Sequence, residues 1–331
     1  MLVRAVYSTV AAEEIARIVE RAYGGATAAC SLLRRGFNDV YEVRLHDGRH
    51  GVARLSSRRA RGEPNIGYET ALLLHLAGAG ALVCVPWQTV EGQMSVAVPA
   101  TEGVRHLVAF DYLQGIAPSQ DAANAELLGR GLAILHVSGR GYRGPASLYD
   151  LELPHLLDLP LKAILEAPTM DHELRGHFSH IAIAAVDKLG DLRRLSKVHC
   201  HGDCHGGNNV IMERVHGVPE AAFFDFDDAG PGFLAYDLAV YLWSILQRMS
   251  ADKPRLEENW KSYMRGYRSV CPVSKVDFDA IMAFVVVRHV WYIGEYASRS
   301  HEWGSERIPR SWLEQQVQLM KAWLSLRTPE Y

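Results

Sequence analysis

Two runs, Asp39–Leu45 (DVYEVRL) and His50–Leu55 (HGVARL), alternate in polarity with a period of two around His46-Asp47-Gly48-Arg49. An Asp-Gly pair flanked by such alternation is a strong hairpin signal, so this stretch is committed to antiparallel sheet. The alternation reaches back to about Ala28. A helical stretch at 66–76 follows, then short strands at 83–86 and 94–98 separated by Glu91-Gly92, then a longer one at 104–113 (VRHLVAFDYL). The expectation is five strands with one helix inserted after the third. Ahead of them, MLVRAVYSTVAAEEIARIVERAYG reads as a capped helix, with Ser8 or Thr9 before Glu13 and Glu14 and apolar Ile15, Ile18 and Val19 behind.

Beyond Gly115 the period changes from two to 3.6. Residues 121–136 place Leu127, Leu128, Leu132, Ile134 and Leu135 on an apolar face, and 177–189, 238–249, 256–269, 278–299 and 311–326 continue as helices. One short hairpin, 209–212 with 221–225, interrupts them. A small β-rich lobe (1–113) and a larger helical lobe (114–331) make an α+β, bilobal arrangement, and a cleft between lobes is a favoured place for a ligand.

The length of 331 residues suits two lobes. A formal net charge of -3 carries no basic footprint for nucleic acid. No apolar run approaches the roughly 18 residues of a membrane helix, and the N-terminal stretch turns acidic too soon for a signal peptide. Five cysteines without a framework point to a reducing compartment. The expectation is a soluble cytoplasmic protein with neither a nucleic-acid nor a membrane partner.

The chemistry concentrates in residues 198–237, VHCHGDCHGGNNVIMERVHGVPEAAFFDFDDAGPGFLAYD. Glycines allow a sharp turn at His201-Gly202-Asp203, Asn208 opens the hairpin, and its second strand delivers Asp225. Phosphoryl transfer needs such a set, because its transition state is served by positioning and by charge neutralisation. Magnesium takes a few hard oxygen ligands, which Asn208 and Asp225 offer. A second carboxylate, Asp203, orients a hydroxyl and accepts its proton.

The pattern H-G-D-x-H-x-x-N at 201–208, followed by an apolar strand into D-F-D-D, resembles the aminoglycoside phosphotransferase and choline kinase superfamily. Its H-G-D-C-H variant is most similar to the stress-response kinase A and type II homoserine kinase branches. The resemblance implies a protein-kinase-like fold with ATP and Mg2+ as cofactors, Asp203 as catalytic base, Asn208 and Asp225 as metal ligands and Asp227 as a second acidic neighbour of the metal. His201, His205 and Asp237 would support the loop. Upstream, it puts Arg54 on the nucleotide phosphates with Glu69 as its partner. Gly36 and Asn38 would lie in the phosphate-covering loop. Phe110, Asp111, Tyr112 and Leu113 would form the hinge against adenine. Related folds set their acceptor against late helices, which nominates Arg288, Trp291, Tyr292 and Glu295.

Plainer readings stand beside these. His199, Cys200, His201, Cys204 and His205 are zinc-ligand types, but structural zinc sites bring paired ligands from two segments, so Cys200 and Cys204 read as buried fillers. Asp228 reads as part of a solvated acidic turn, Asn38 as a turn residue, and Arg58, Arg59 and Arg61 as a solvated loop. Bulky residues at 288–295 also suit a core. The late helices balance Glu295, Glu302 and Glu306 against Arg288, Arg299 and Arg307, which disfavours a polycationic acceptor. A small-molecule hydroxyl is the leading acceptor, and a protein serine or threonine the second. The competing classes are a nucleotide-binding protein without transfer activity and a metallohydrolase on the His/Cys cluster.

Overall fold

A computed structural model describes residues 5–57, 64–213 and 217–330. The basic run Arg58, Arg59 and Arg61 lies outside the described residues. The chain forms two compact units. The first comprises Met1–Gln114, Tyr142–Ala146 and Ala222–Asp227; the second comprises Gly115–Gly141, Ser147–Ala221 and Asp228–Tyr331.

In the first unit, helix α1 (Ala12–Tyr23) precedes strands β1 (Thr27–Arg35), β2 (Asp39–Leu45) and β3 (His50–Leu55), helix α2 (Ile66–Gly78), and strands β4 (Val96–Ala100) and β5 (Gly103–Asp111). The five strands form one antiparallel sheet in the order β1-β2-β3-β5-β4. Period-two alternation sends Tyr41, Val43, Leu45, Ala53, Leu55, Leu107 and Ala109 to one face. There they bury Ile15, Val19 and Tyr23 of α1. Arg54 therefore points to the other face. Pro99 is tolerated because β4 is an edge strand.

Two expectations change here. Residues 83–86 make only isolated bridges, Val83 to Phe223 and Pro86 to Phe110, because Pro86 has no amide to extend a ladder. Helix α1 has Ala11 at its N-cap and so no side-chain cap. The Ser8 hydroxyl is instead held by the Glu102 carboxylate at 2.6 Å, and Glu13 and Glu14 in the first turn suit the helix dipole without it.

In the second unit, α3 (Ala122–Gly139) is capped by Asp121. A π-helical turn (Pro154–Asp158) then runs into α4 (Leu159–Leu165), and α5 (His172–Leu189) follows. Next come β6 (Lys197–Cys200), β7 (Asn209–Glu213), β8 (Pro219–Phe223), whose last two residues belong to the first unit, and β9 (Gly230–Phe233). The helices α6 (Leu234–Arg248), α7 (Lys253–Arg268), α8 (Lys275–Ala297), α9 (Ser300–Trp303) and α10 (Arg310–Leu324) complete it. β7 pairs with β8, and β6 with β9. α8 is the central rod: every residue from Ala280 to Trp291 is buried, with α4, α5, α6 and α10 packed around it. α3 and α7 touch backbone to backbone, since a Cβ on Gly129 would meet the Tyr263 carbonyl at 1.9 Å and one on Gly266 the Glu126 carbonyl at 2.0 Å. No described helix is long and apolar enough to cross a membrane.

Candidate active site

In the first unit, Arg54 leaves β3 opposite the α1 face and meets Glu69 of α2. Its two terminal nitrogens donate to the two Glu69 oxygens at 2.8 and 2.5 Å. Arg54 is 5% and Glu69 2% exposed, so this is a buried bidentate pair. The guanidinium also reaches Asp225 Oδ1 at 3.3 Å and sits 5.2 Å from the Phe110 ring centre. Burial disfavours its charge, but Glu69 and then Asp225 outweigh that and raise its pKa.

Asp225 is the one non-glycine residue with positive φ among the described residues, at 65°. A strained backbone of this kind persists where its surroundings over-determine it, and it clusters at functional sites. Asn38 is more than a turn residue. Its side-chain nitrogen donates to Asp227 at 2.7 Å and its oxygen accepts the Ser57 amide at 3.1 Å, while its carbonyl receives the Gly36 amide. The Gly36 loop is thereby tied to the D-F-D-D turn. Along the expected hinge, the Asp111 and Tyr112 amides are already taken by the Val85 and His50 carbonyls. Phe110 is buried beneath Arg54, and Tyr112 stacks on His50 at 4.0 Å. Leu113 is the first residue there whose amide makes no hydrogen bond among the described residues.

In the second unit, β6 delivers His201, Gly202 and Asp203. Asp237, in the first turn of α6, accepts the His201 and Gly202 amides at 2.8 and 2.9 Å. His136 of α3 donates to the same carboxylate at 2.9 Å, and its other ring nitrogen meets the Tyr267 hydroxyl at 2.7 Å. Burial pushes the Asp237 carboxyl up, yet the bond and charge of His136, with His201 and the Gly202 amide, bring it below the usual range. The His201 ring accepts the Asp203 amide at 3.3 Å. His205 accepts the Gly207 amide and lies 3.5 Å from Asp203 Oδ2.

Gly202 has φ 83°, and a Cβ there would lie 2.1 Å from the Asp228 carbonyl. Only glycine fits. We expect Gly202→Ala to displace Asp203 and lower turnover about 10²-fold with the helical content retained. Steady-state ADP production alongside circular dichroism checks this, and wild-type turnover would refute it.

Asp203 is held on several sides. Asn208 Nδ2 donates to its Oδ2 at 2.9 Å and to its carbonyl at 3.0 Å, and Arg288 of α8 forms an ion pair with Oδ1. Burial raises the Asp203 pKa, but Arg288 and then His205 outweigh it and hold the carboxyl at about 2. Asp228 is buried rather than a solvated turn residue, because its backbone packs over Gly202. Its charge acts on both Asp203 and Arg288.

Further along α8, Trp291 lies against the Arg288 guanidinium. Tyr292 packs on Trp243 and Tyr296, and Glu295 is buried. Sequence reasoning missed His136, Asp228 and Trp243. The signal for His136 was a lone polar side chain on the stripe of Leu128, Leu132 and Leu135.

Asn208 and Asp225 offer hard oxygens, as magnesium prefers. The Asn208 amide nitrogen is taken by Asp203, which leaves its Oδ1 as the donor atom for a cation. In the His/Cys cluster, the His201 ring serves the Asp203 amide and the Cys200 thiol faces the Phe233 carbonyl at 3.5 Å.

Residues 30–272 match the family described as APH, Phosphotransferase enzyme family. The chain belongs to it. A protein of Deinococcus radiodurans is 34% identical over 321 residues, covering 96% of this chain and 92% of its own length. Two solved structures share the fold. An amicoumacin kinase in complex with AMP-PNP, Ca2+ and Ami superposes with a TM-score of 0.77 at 18% identity, covering 94% of this chain and 92% of that one. A microcompartment-associated aminopropanol kinase gives 0.74 at 21%, covering 95% and 98%. This phosphotransferase thus shares the α+β fold of those two structures.

Proposed function

We propose that this kinase moves the γ-phosphate of ATP to the hydroxyl of a small molecule, with Asp203 as the catalytic base. The observation that carries the reading is the Asp203 carboxylate itself, kept ionised and oriented by Arg288 and Asn208. Arg54, fixed by Glu69, binds the nucleotide phosphates, and Gly36 and Asn38 close the loop over them. Adenine lies along Phe110, Asp111, Tyr112 and Leu113, where the Leu113 amide is the donor left to meet it. Asn208 Oδ1 and Asp225 would hold Mg2+, with Asp227 beside them. When bound, the ion neutralises charge on the phosphate oxygens.

Asp203 accepts a hydrogen bond from the acceptor hydroxyl and so points the hydroxyl oxygen at the γ-phosphorus. The new O–P bond forms as the bond to the ADP oxygen breaks, and the hydroxyl proton passes to Asp203 and then to solvent. The Asp203 carboxylate orients the hydroxyl first and receives its proton late, which suits a loose transition state.

Support for a small acceptor comes from the structural relatives, an amicoumacin kinase and an aminopropanol kinase. The five described cysteines are all free thiols, as a cytoplasmic location would require. The test is ADP production from Mg-ATP with 1-amino-2-propanol, homoserine, an aminoglycoside and a generic protein substrate. At least one small acceptor should raise turnover well above the rate with water. Phosphate appearing only on the protein would overturn the acceptor class.

A further inference from the structure

Arg288 occupies an unusual place for a guanidinium. It comes from the middle of α8 and is 3% exposed. Its planar group lies 4.2 Å from the Trp291 ring centre and 5.0 Å from that of Trp243. One terminal nitrogen pairs with Asp203 Oδ1. The other reaches the Gly202 carbonyl at 3.3 Å and the Tyr236 hydroxyl at 3.4 Å.

The flanking ring is itself fixed. Trp243 Nε1 donates to His289 Nδ1 at 3.0 Å, and His289 Nε2 meets Gln316 of α10 at 3.0 Å. This chain of contacts leads from α10 through α8 and α6 to the carboxylate. Two flat tryptophan faces are what a cation-binding cage is made of. Here the protein supplies the cation.

We propose that Arg288 is the positioning residue of this kinase. Packed against the Trp243 and Trp291 rings, its guanidinium fixes the rotamer of Asp203 and so aims the oxygen that receives the acceptor hydroxyl. This rests on the assignment of Asp203 as base. Two consequences follow from the geometry. A planar fork can grip Asp203, the Gly202 carbonyl and Tyr236 at once, which a lysine ammonium cannot do with the same orientation. The two tryptophan rings already carry the protein's own cation, so an acceptor reaches Asp203 without placing a cation of its own on them.

The experiment measures kcat and KM for Mg-ATP in wild type, Asp203→Asn, Arg288→Ala and Arg288→Lys. The acceptor is 1-amino-2-propanol, or water where that alcohol is not used. Arg288→Ala should lower kcat about 10²-fold, the scale of a misaimed reacting group, with KM for ATP nearly unchanged. Methylguanidinium should re-enter the tryptophan cage and restore kcat in a saturable way, and it should do nothing for Asp203→Asn.

Wild-type kcat in Arg288→Ala overturns the proposal, and so does a fall in ATP affinity that matches the fall in kcat. Failure of methylguanidinium to restore a folded Arg288→Ala protein would show a merely structural residue. If that variant does not fold, Arg288→Lys decides: reduced kcat at unchanged KM supports the stacked fork, and wild-type kcat removes it. Full turnover in Asp203→Asn would instead sink the assignment of the base.

Discussion

Asp203→Ala is expected to lower phosphoryl transfer by about 10²–10⁴-fold, the range for losing a positioned general base, while Mg-ATP still binds. The two effects separate because the groups assigned to the nucleotide, Arg54, Glu69 and Asp225, hydrogen-bond and ion-pair among themselves without Asp203. The loop also keeps its frame in the variant, since Asp237 grips the His201 and Gly202 amides rather than the Asp203 side chain. Arg288 loses its carboxylate but keeps Tyr236, the Gly202 carbonyl and the nearby charge of Asp228. Turnover measured beside a nucleotide titration checks both halves. Full activity would end the assignment of Asp203, and loss of ATP binding would mean that the carboxylate serves the nucleotide.

Arg54→Ala carries the second large effect, and this one is on stability as well as function. It strips Glu69, which is 2% exposed, of both its charge-assisted hydrogen bonds. Removing one partner of a buried pair costs about 3–5 kcal/mol, because the remaining charge stays buried without compensation. Asp225 also loses the guanidinium at 3.3 Å, next to a backbone already held at positive φ. The variant should unfold at clearly lower temperature and bind Mg-ATP weakly. Arg54→Lys should recover part of the stability, since it restores charge without the bidentate geometry. Thermal unfolding and an ATP titration of the three proteins decide the matter. An unchanged melting temperature in Arg54→Ala would contradict the buried-pair account.

Local chemistry made much of the fold legible. The Asp-Gly turn and its flanking alternation defined β2 and β3 to the residue, and Asp121 marked the start of α3. The loop at 201–208 was readable because its geometry is encoded within a few positions, glycine for the turn and oxygen-bearing side chains at close spacing. What stayed hidden was non-local. β9 reads GPGF, with two glycines and a proline, so nothing in it alternates; it becomes a strand only by pairing with Lys197–Cys200. The π-helical turn and α4 carry Pro154 and Pro160, which mask a helical pattern. The Asp203–Arg288 pair joins residues 85 positions apart. No spacing rule reaches that far, and the bulk of residues 288–295 was equally consistent with ordinary core.

The first unit is not one stretch of polypeptide. The Phe223 amide and carbonyl hydrogen-bond Leu82 and Cys84, and Asp225 completes the Arg54 cluster, so Ala222–Asp227 belongs with a sheet whose last strand ends at Asp111. During synthesis this final piece emerges more than a hundred residues after Gln114. At ordinary ribosomal rates that is a wait of roughly 5–22 s. The nascent sheet must spend the interval without the segment that covers Leu82–Cys84 and without the second carboxylate, Asp225, beside Arg54. A fragment cut at Gln114 would be left in that same unfinished state, so dividing the gene between strand-rich and helix-rich halves would not yield two self-sufficient parts.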